Sequence, residues 1–169
     1  MKPLYILVLG VSGSGKSTIA AQLAERLEAQ FIEGDLLHPP SNVEKMSNAQ
    51  PLTDEDRVPW LAKIVETANL STTQFCVIAC SALKKKYREQ LRVGLPGLVS
   101  ISLEGDRELL QARMNQRIGH FMPASLLDSQ LTTFEAPVDE ENTFRFSVSD
   151  SPRQILESAM EQINRSFAA

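Results

Sequence analysis

Leu4-Tyr5-Ile6-Leu7-Val8-Leu9, followed directly by Gly10-Val11-Ser12-Gly13-Ser14-Gly15-Lys16-Ser17, is the stretch that decides the fold. Its first six residues are apolar without alternation, the pattern of a strand buried on both faces. A glycine-rich turn then releases the chain into a helix over Lys16 to Glu28. Ile19, Leu23 and Leu27 recur there at four-residue spacing and form its packing stripe. Strand, turn and helix in this order, carrying the full Gly-x-x-x-x-Gly-Lys-Ser spacing, are a Walker A loop. Glycines permit positive φ and close backbone approach, so that successive N–H groups cradle phosphate oxygens. The helix N-terminus adds a favourable dipole for the same anion. Lys16 is placed to reach the β- and γ-phosphates, and the Ser17 hydroxyl to join the Mg²⁺ shell. Residues 10–17 are therefore expected to bind ATP or GTP. The flanking strand and helix argue against a glycine turn that matches the pattern by chance.

The same alternation continues outward. Residues 31–33 read as a short second strand, followed by a polar loop with Gly34, His38, Pro39 and Pro40. Thr53 is a good cap for a helix with Asp54, Glu55 and Asp56 in its first turn, continuing through Trp60, Leu61 and Ile64. Phe75 to Ala79 is another apolar strand, and Ser81 is expected to open a helix running to about Arg92. Leu98 to Leu103 form a fourth strand, and Leu109, Leu110 and Met114 mark a fourth helix. Phe144 to Val148 read as the last strand. Ser151-Pro152-Arg153-Gln154 has the cap, N1 proline and N3 glutamine of a helix start. Short apolar strands alternating with helices predict a three-layer α/β domain with a mainly parallel sheet, one domain over 1–169. Ligands in such folds bind beyond the carboxyl ends of the strands.

Composition narrows the function classes. The 169 residues carry 43% hydrophobic and 22% charged residues, ordinary values for a globular domain. A net charge of -4 gives no general attraction to nucleic acid or anionic membrane. The run Leu4 to Leu9 is too short to cross a bilayer and ends in a glycine loop, so neither a signal peptide nor a transmembrane span is expected. Cys76 and Cys80 stand alone, four apart in one apolar segment. They read as buried thiols in a reducing cytoplasm rather than as a zinc pair.

The Walker A loop leaves the acceptor open. An Asn-Lys-x-Asp base-reading segment, expected of a regulatory GTPase, does not occur. The small chain favours a kinase acting on a small molecule. The strand Phe75 to Ala79 ends in Cys80-Ser81 and supplies no Walker B aspartate, so metal binding must rest on Ser17, phosphates, water and a carboxylate elsewhere.

Several residues are candidates for the acceptor side. Asp35, just past a strand end, either orients an acceptor hydroxyl and takes its proton or is a solvated loop carboxylate. His38 either binds a ligand or orders its loop. Lys84, Arg88 and Arg92 at i, i+4 and i+8 share a helix face, widened by Lys85 and Lys86. That face is either solvated or a site for an anionic acceptor, which arginine forks suit. Trp60, three residues after Arg57, walls a pocket or fills the core. Arg113, Arg117 and His120 form a second cationic group around Gly119. They either offset charge on transferring oxygens from a closing lid or serve solubility.

Taken together, these stretches resemble the gluconokinases of the small Walker A type. The resemblance rests on residues 10–17, on Gly34-Asp35-Leu36-Leu37-His38-Pro39 and on Asn42-Val43-Glu44-Lys45-Met46. It extends through Pro51-Leu52-Thr53-Asp54-Glu55-Asp56-Arg57, Pro59-Trp60-Leu61 and Cys80-Ser81-Ala82-Leu83-Lys84-Lys85-Lys86-Tyr87-Arg88. Gly119-His120-Phe121, Ser129-Gln130 and Thr133-Phe134-Glu135-Ala136-Pro137 complete it. Phe134 stands where leucine is expected and Leu131 where phenylalanine is, both still large and apolar.

The resemblance implies transfer from ATP, with Mg²⁺, to the 6-hydroxyl of D-gluconate, giving 6-phospho-D-gluconate and ADP. It implies a P-loop NTPase of the nucleoside-monophosphate-kinase-like type, with five strands, a helical lid around 113–135 and a homodimer in the cytoplasm. By the same resemblance Asp35 lies near the acceptor hydroxyl, and His38, Arg57, Ser81, Lys84 and Arg88 surround the sugar acid. Arg113 lies against the adenine or phosphates, Arg117 and His120 face the transferring group, and Gln130 falls on the lid side. Lys16, Asp35 and Arg117 are the catalytic candidates.

Two alternatives remain. A kinase for another small anionic acceptor such as shikimate is expected to carry an Asp-x-Asp pair at 33–35, where this chain has Glu33. A non-catalytic nucleotide-binding regulatory module would need a partner surface or base-reading motif that the sequence lacks.

Overall fold

The central strand is the one the sequence marks most strongly. In the computed structural model, which describes residues 2–116 and 125–168, β1 (Leu4–Leu9) lies between β3 (Phe75–Ala79) and β4 (Val99–Glu104). β2 (Gln30–Glu33) borders β3, and β5 (Thr143–Ser147) borders β4. The five strands pair in parallel in the order β2-β3-β1-β4-β5. Tyr5 to Leu9 and Cys76 to Ala79 are buried throughout. Strands inside a parallel sheet covered on both faces have no solvent side, and this is why they read as unbroken apolar runs.

Helices supply that cover. α1 (Lys16–Leu27) packs on β3 and on α7 (Pro152–Phe167). α3 (Asp54–Asn69) packs on α4 (Lys85–Gly94). Ile19, Leu23, Leu61, Ile64, Leu91 and Ile163 are all buried in the common core. Each such side chain contributes about 2 kcal/mol by leaving water. Both expected helix starts form: Thr53 and Ser151 make reciprocal capping boxes with Asp56 and Gln154. Cys76 and Cys80 are free and buried. Burial pushes their thiols up to about 11 and about 12, so they carry no thiolate chemistry near neutral pH.

Two local expectations are corrected. The polar segment after β2 holds a 3₁₀ turn (Gly34–Leu37) and then α2 (Pro40–Ser47), with Pro40 in its first turn. The helix after β3 begins at Lys85, not at Ser81. Ala82 has φ 42, a left-handed value that ends any helix there. Its carbonyl and that of Leu83 are instead taken by the guanidinium of Arg88. Beyond β4, α5 (Arg107–Asn115) is capped by Asp106, and α6 (Ser125–Thr133) follows across residues 117–124. The expected sites Arg117 and His120 fall in that interval, outside the described residues.

Candidate active site

β1 sits where the sheet order reverses, with β3 on one side and β4 on the other, so the loop after it opens into a crevice at the carboxyl ends. Gly15 takes φ 85 as the N-cap of α1, a conformation costly for any residue with a Cβ. No side chain caps this helix, so its first N–H groups are not taken up by a capping side chain. Lys16, Ser17 and Arg113 border that cavity together with Gly13 and Gly15. Arg113 reaches over from α5 and donates to the Val148 carbonyl at 2.7 Å.

A second cavity adjoins the first. Its border includes His38, Arg57, Trp60, Ser81 and Gln130. Ser12, Lys16 and Asp35 border both cavities, and so stand at the passage between them. Gly34 makes this possible for Asp35. A Cβ on Gly34 would lie 2.5 Å from the Ala79 carbonyl, so only glycine lets the 3₁₀ turn press against the end of β3.

The walls of the second cavity are held by polar contacts. Trp60 is 1% exposed and donates from Nε1 to the Gly34 carbonyl at 2.8 Å. Its ring stacks on His38 with centroids 4.0 Å apart, so it is at once core and wall. Burial lowers the His38 pKa to about 4 against a favourable pull from Asp35, which leaves the ring neutral at pH 7. Arg57 is 9% exposed and donates to the Leu52 carbonyl at 2.7 Å and to the Tyr87 hydroxyl at 3.1 Å. Gln130 on α6 accepts through Oε1 from the Ser12 N–H at 2.8 Å, tying α6 to the phosphate loop.

The cationic face expected on the helix after β3 lies off the acceptor cavity in this structure. Neither Lys84 nor Arg88 borders the cavity. Arg88 is fully buried, and its guanidinium meets Glu140 at 2.7 and 2.9 Å and the carbonyls of Ala82, Leu83 and Glu135. Arg92 pairs with the same Glu140. Lys84, Lys86 and the Tyr87 hydroxyl converge on Asp54 and hold its carboxyl far below the usual range. The Arg88–Glu140 pair is buried and the lysine–Asp54 cluster lies at the surface; Arg88 organises the loop that carries Ser81.

Of the residues expected on the acceptor side or at the phosphates, Lys16, Asp35, His38, Arg57, Ser81 and Gln130 border one cavity. Sequence reasoning gave no role to Met46, Leu52 and Ser129, which also border the acceptor cavity. The tandem prolines 39 and 40 were the available signal for α2, since proline suits a first helical turn.

Comparison with known proteins agrees with this fold. A family model described as an AAA domain matches residues 6–137. The chain is 48% identical over 159 residues to a gluconokinase of Gluconobacter oxydans (strain 621H), covering 93% of this chain and 89% of that protein. It is 42% identical over 162 residues to the thermosensitive gluconokinase of Escherichia coli (strain K12), covering 93% and 86%. The crystal structure of a gluconokinase from Sinorhizobium meliloti 1021 superposes with a TM-score of 0.87 at 46% identity, covering 96% of this chain and 93% of that one.

Proposed function

The chain belongs to the gluconokinase family, and on that premise we propose that it transfers the γ-phosphoryl group of ATP to the 6-hydroxyl of D-gluconate. The observation that carries this reading is the position of Asp35 and Lys16 at the passage between a phosphate loop and a cavity walled by Arg57, His38 and Trp60. One cavity suits a polyphosphate and the other a small polyhydroxy acid.

The residues divide the work as follows. The phosphate loop and Lys16 hold the β- and γ-phosphates, and Arg113 lies on the nucleotide side. Asp35 orients the acceptor hydroxyl and takes its proton as the new phosphorus–oxygen bond forms. The bond from the γ-phosphorus to the bridging oxygen breaks, and its electron pair leaves with ADP. Arg57, which borders the acceptor cavity together with Lys16, is assigned to the carboxylate of the sugar acid, with His38, Ser81 and Gln130 on its hydroxyls. Lys84 and Arg88 act through the loop and not on the substrate. For Arg117 and His120, contact with the transferring group is the expectation drawn from family resemblance alone.

For Mg²⁺, the Ser17 hydroxyl at the border of the phosphate cavity is the donor that fits. Bound with ATP, the ion would neutralise phosphate charge. The segment around 113–135 is read as a lid, supported by the contact of Gln130 on α6 with the loop. A homodimer and a cytoplasmic location belong to the same reading. No helix among the described residues is long and apolar enough to cross a membrane.

Acceptor profiling tests the proposal. ADP release with MgATP is expected with gluconate and not with shikimate or nucleoside monophosphates. Turnover confined to shikimate would replace gluconate by the rival acid, and binding of ATP without any acceptor turnover would leave a regulatory module.

A further inference from the structure

Asn42 lies in the first turns of α2, is 2% exposed, and has no part in the chemistry described so far. Its amide nitrogen sits 2.9 Å from the Asp56 backbone carbonyl and 3.1 Å from Nδ1 of His38. A backbone carbonyl only accepts hydrogen bonds, so the amide must present its NH₂ group there. The reverse amide orientation would set two carbonyl oxygens against each other in a buried site. With one hydrogen on Asp56, the second is directed to His38, and Nδ1 must receive it on an unprotonated lone pair.

We propose that Asn42 is a positioning residue that locks His38 in the tautomer with its proton on Nε2, making His38 a fixed hydrogen-bond donor to the sugar acid. The inference rests on the acceptor assignment above and sharpens it. A neutral imidazole has one donor and one acceptor nitrogen, and the partner of the first decides the role of the second. Stacking on Trp60 fixes the ring plane, and burial keeps the ring uncharged. The charged groups acting on it are Asp35, which favours the imidazolium, and Arg57, which opposes it. With Nδ1 engaged, Nε2 is the nitrogen left for the cavity that His38 borders. A ring held in this state donates to a hydroxyl or carboxylate oxygen and has no lone pair to take a proton from one. The proton of the attacking hydroxyl is thereby left to Asp35. The donor that faces the substrate is set by a side chain that bonds to it from behind and does not itself border the cavity.

The test is a long-range ¹H–¹⁵N correlation spectrum of the histidine rings of the full chain at pH 7 without substrate. His120, the other histidine, is identified by the loss of its signals in His120→Gln. The expected result is a neutral His38 with protonated Nε2 and unprotonated Nδ1. An Nδ1-protonated ring or an imidazolium in the wild-type protein would overturn the proposal, and this readout needs no variant to fold. Asn42→Asp replaces the donor by an acceptor. It should move the proton to Nδ1 or charge the ring, and raise the gluconate KM about 10-fold with kcat changed less than about 3-fold. Asn42→Ala should give mixed tautomers and an intermediate KM. A folded Asn42→Ala protein with the wild-type tautomer and KM would also overturn it. Failure of the wild-type protein to phosphorylate gluconate would sink the acceptor reading instead, because the spectrum is recorded without substrate.

Discussion

Trp60 donates through Nε1 to the carbonyl of Gly34 at 2.8 Å, so the wall of the acceptor cavity and the turn that presents Asp35 are one hydrogen-bonded unit. The bond spans 26 residues and is buried. Trp60→Phe keeps an aromatic ring but leaves the Gly34 carbonyl without its donor, at a cost of about 1–3 kcal/mol. Turnover should fall about 10-fold as Asp35 loses its fixed approach to the phosphate. Urea unfolding and steady-state kinetics on the same variant check both effects. Lost stability with unchanged turnover would show that the turn holds Asp35 without Trp60.

Asp35→Asn keeps shape and one acceptor oxygen while removing charge and basicity. Turnover is expected to fall about 10²-fold or more, the scale of a lost general base. MgATP affinity should change little. A matching loss of MgATP affinity would move Asp35 into the metal shell, and near-normal turnover would remove it from the chemistry.

Arg88 separates a structural role from a ligand role. Arg88→Met strips a buried partner from Glu140 and releases the carbonyls of Ala82 and Leu83. Removing one member of a buried ion pair costs about 3 kcal/mol or more, which lowers Tm by about 6–12 °C in a domain of this size. In the protein that remains folded, the gluconate KM should stay within about 2-fold. An unchanged Tm with a greatly raised KM would return Arg88 to the substrate.

His38 gives the fold a pH dependence of defined sign. Burial lowers its pKa to about 4 from an ordinary 6.5. The unfolded chain therefore takes up this proton first as pH falls, and the folded chain does so only near 4. Stability from the neutral ring is complete above about 6.5 and is lost progressively down to about 4, amounting to about 3 kcal/mol. His38→Gln should remove that share of the pH dependence, read as the difference between variant and wild-type unfolding free energies at pH 7.5 and 4.5. Parallel curves would place a solvated ring at this position.

The contact between Gln130 and the Ser12 N–H predicts that α6 responds to ligands. Amide exchange across Ser125 to Thr133 should slow when ATP and gluconate are both bound. Unchanged exchange, with binding verified by calorimetry, would count against a closing segment.

The sequence by itself determined what depends on neighbours along the chain. β1 and β3 were legible to the residue because strands covered on both faces carry unbroken apolar runs. The phosphate loop was legible because its glycines, Lys16 and Ser17 act through local backbone geometry. The capping boxes at Thr53 and Ser151 are local as well. Tertiary structure decided everything that depends on partners far away in the chain. Lys84, Arg88 and Arg92 look like one helical cationic face, yet Asp54 and Glu140, 30 to 52 residues distant, take their charges. No spacing within the segment announces a carboxylate arriving from elsewhere. The guanidinium that holds the left-handed Ala82 is itself fixed by Glu140, 52 residues away. The Asn42 amide that sets the His38 ring is oriented by the Asp56 carbonyl, 14 residues away. Each is held by a carboxylate or carbonyl brought in by the fold, and a charge or polar group takes its role from what surrounds it once water has been excluded.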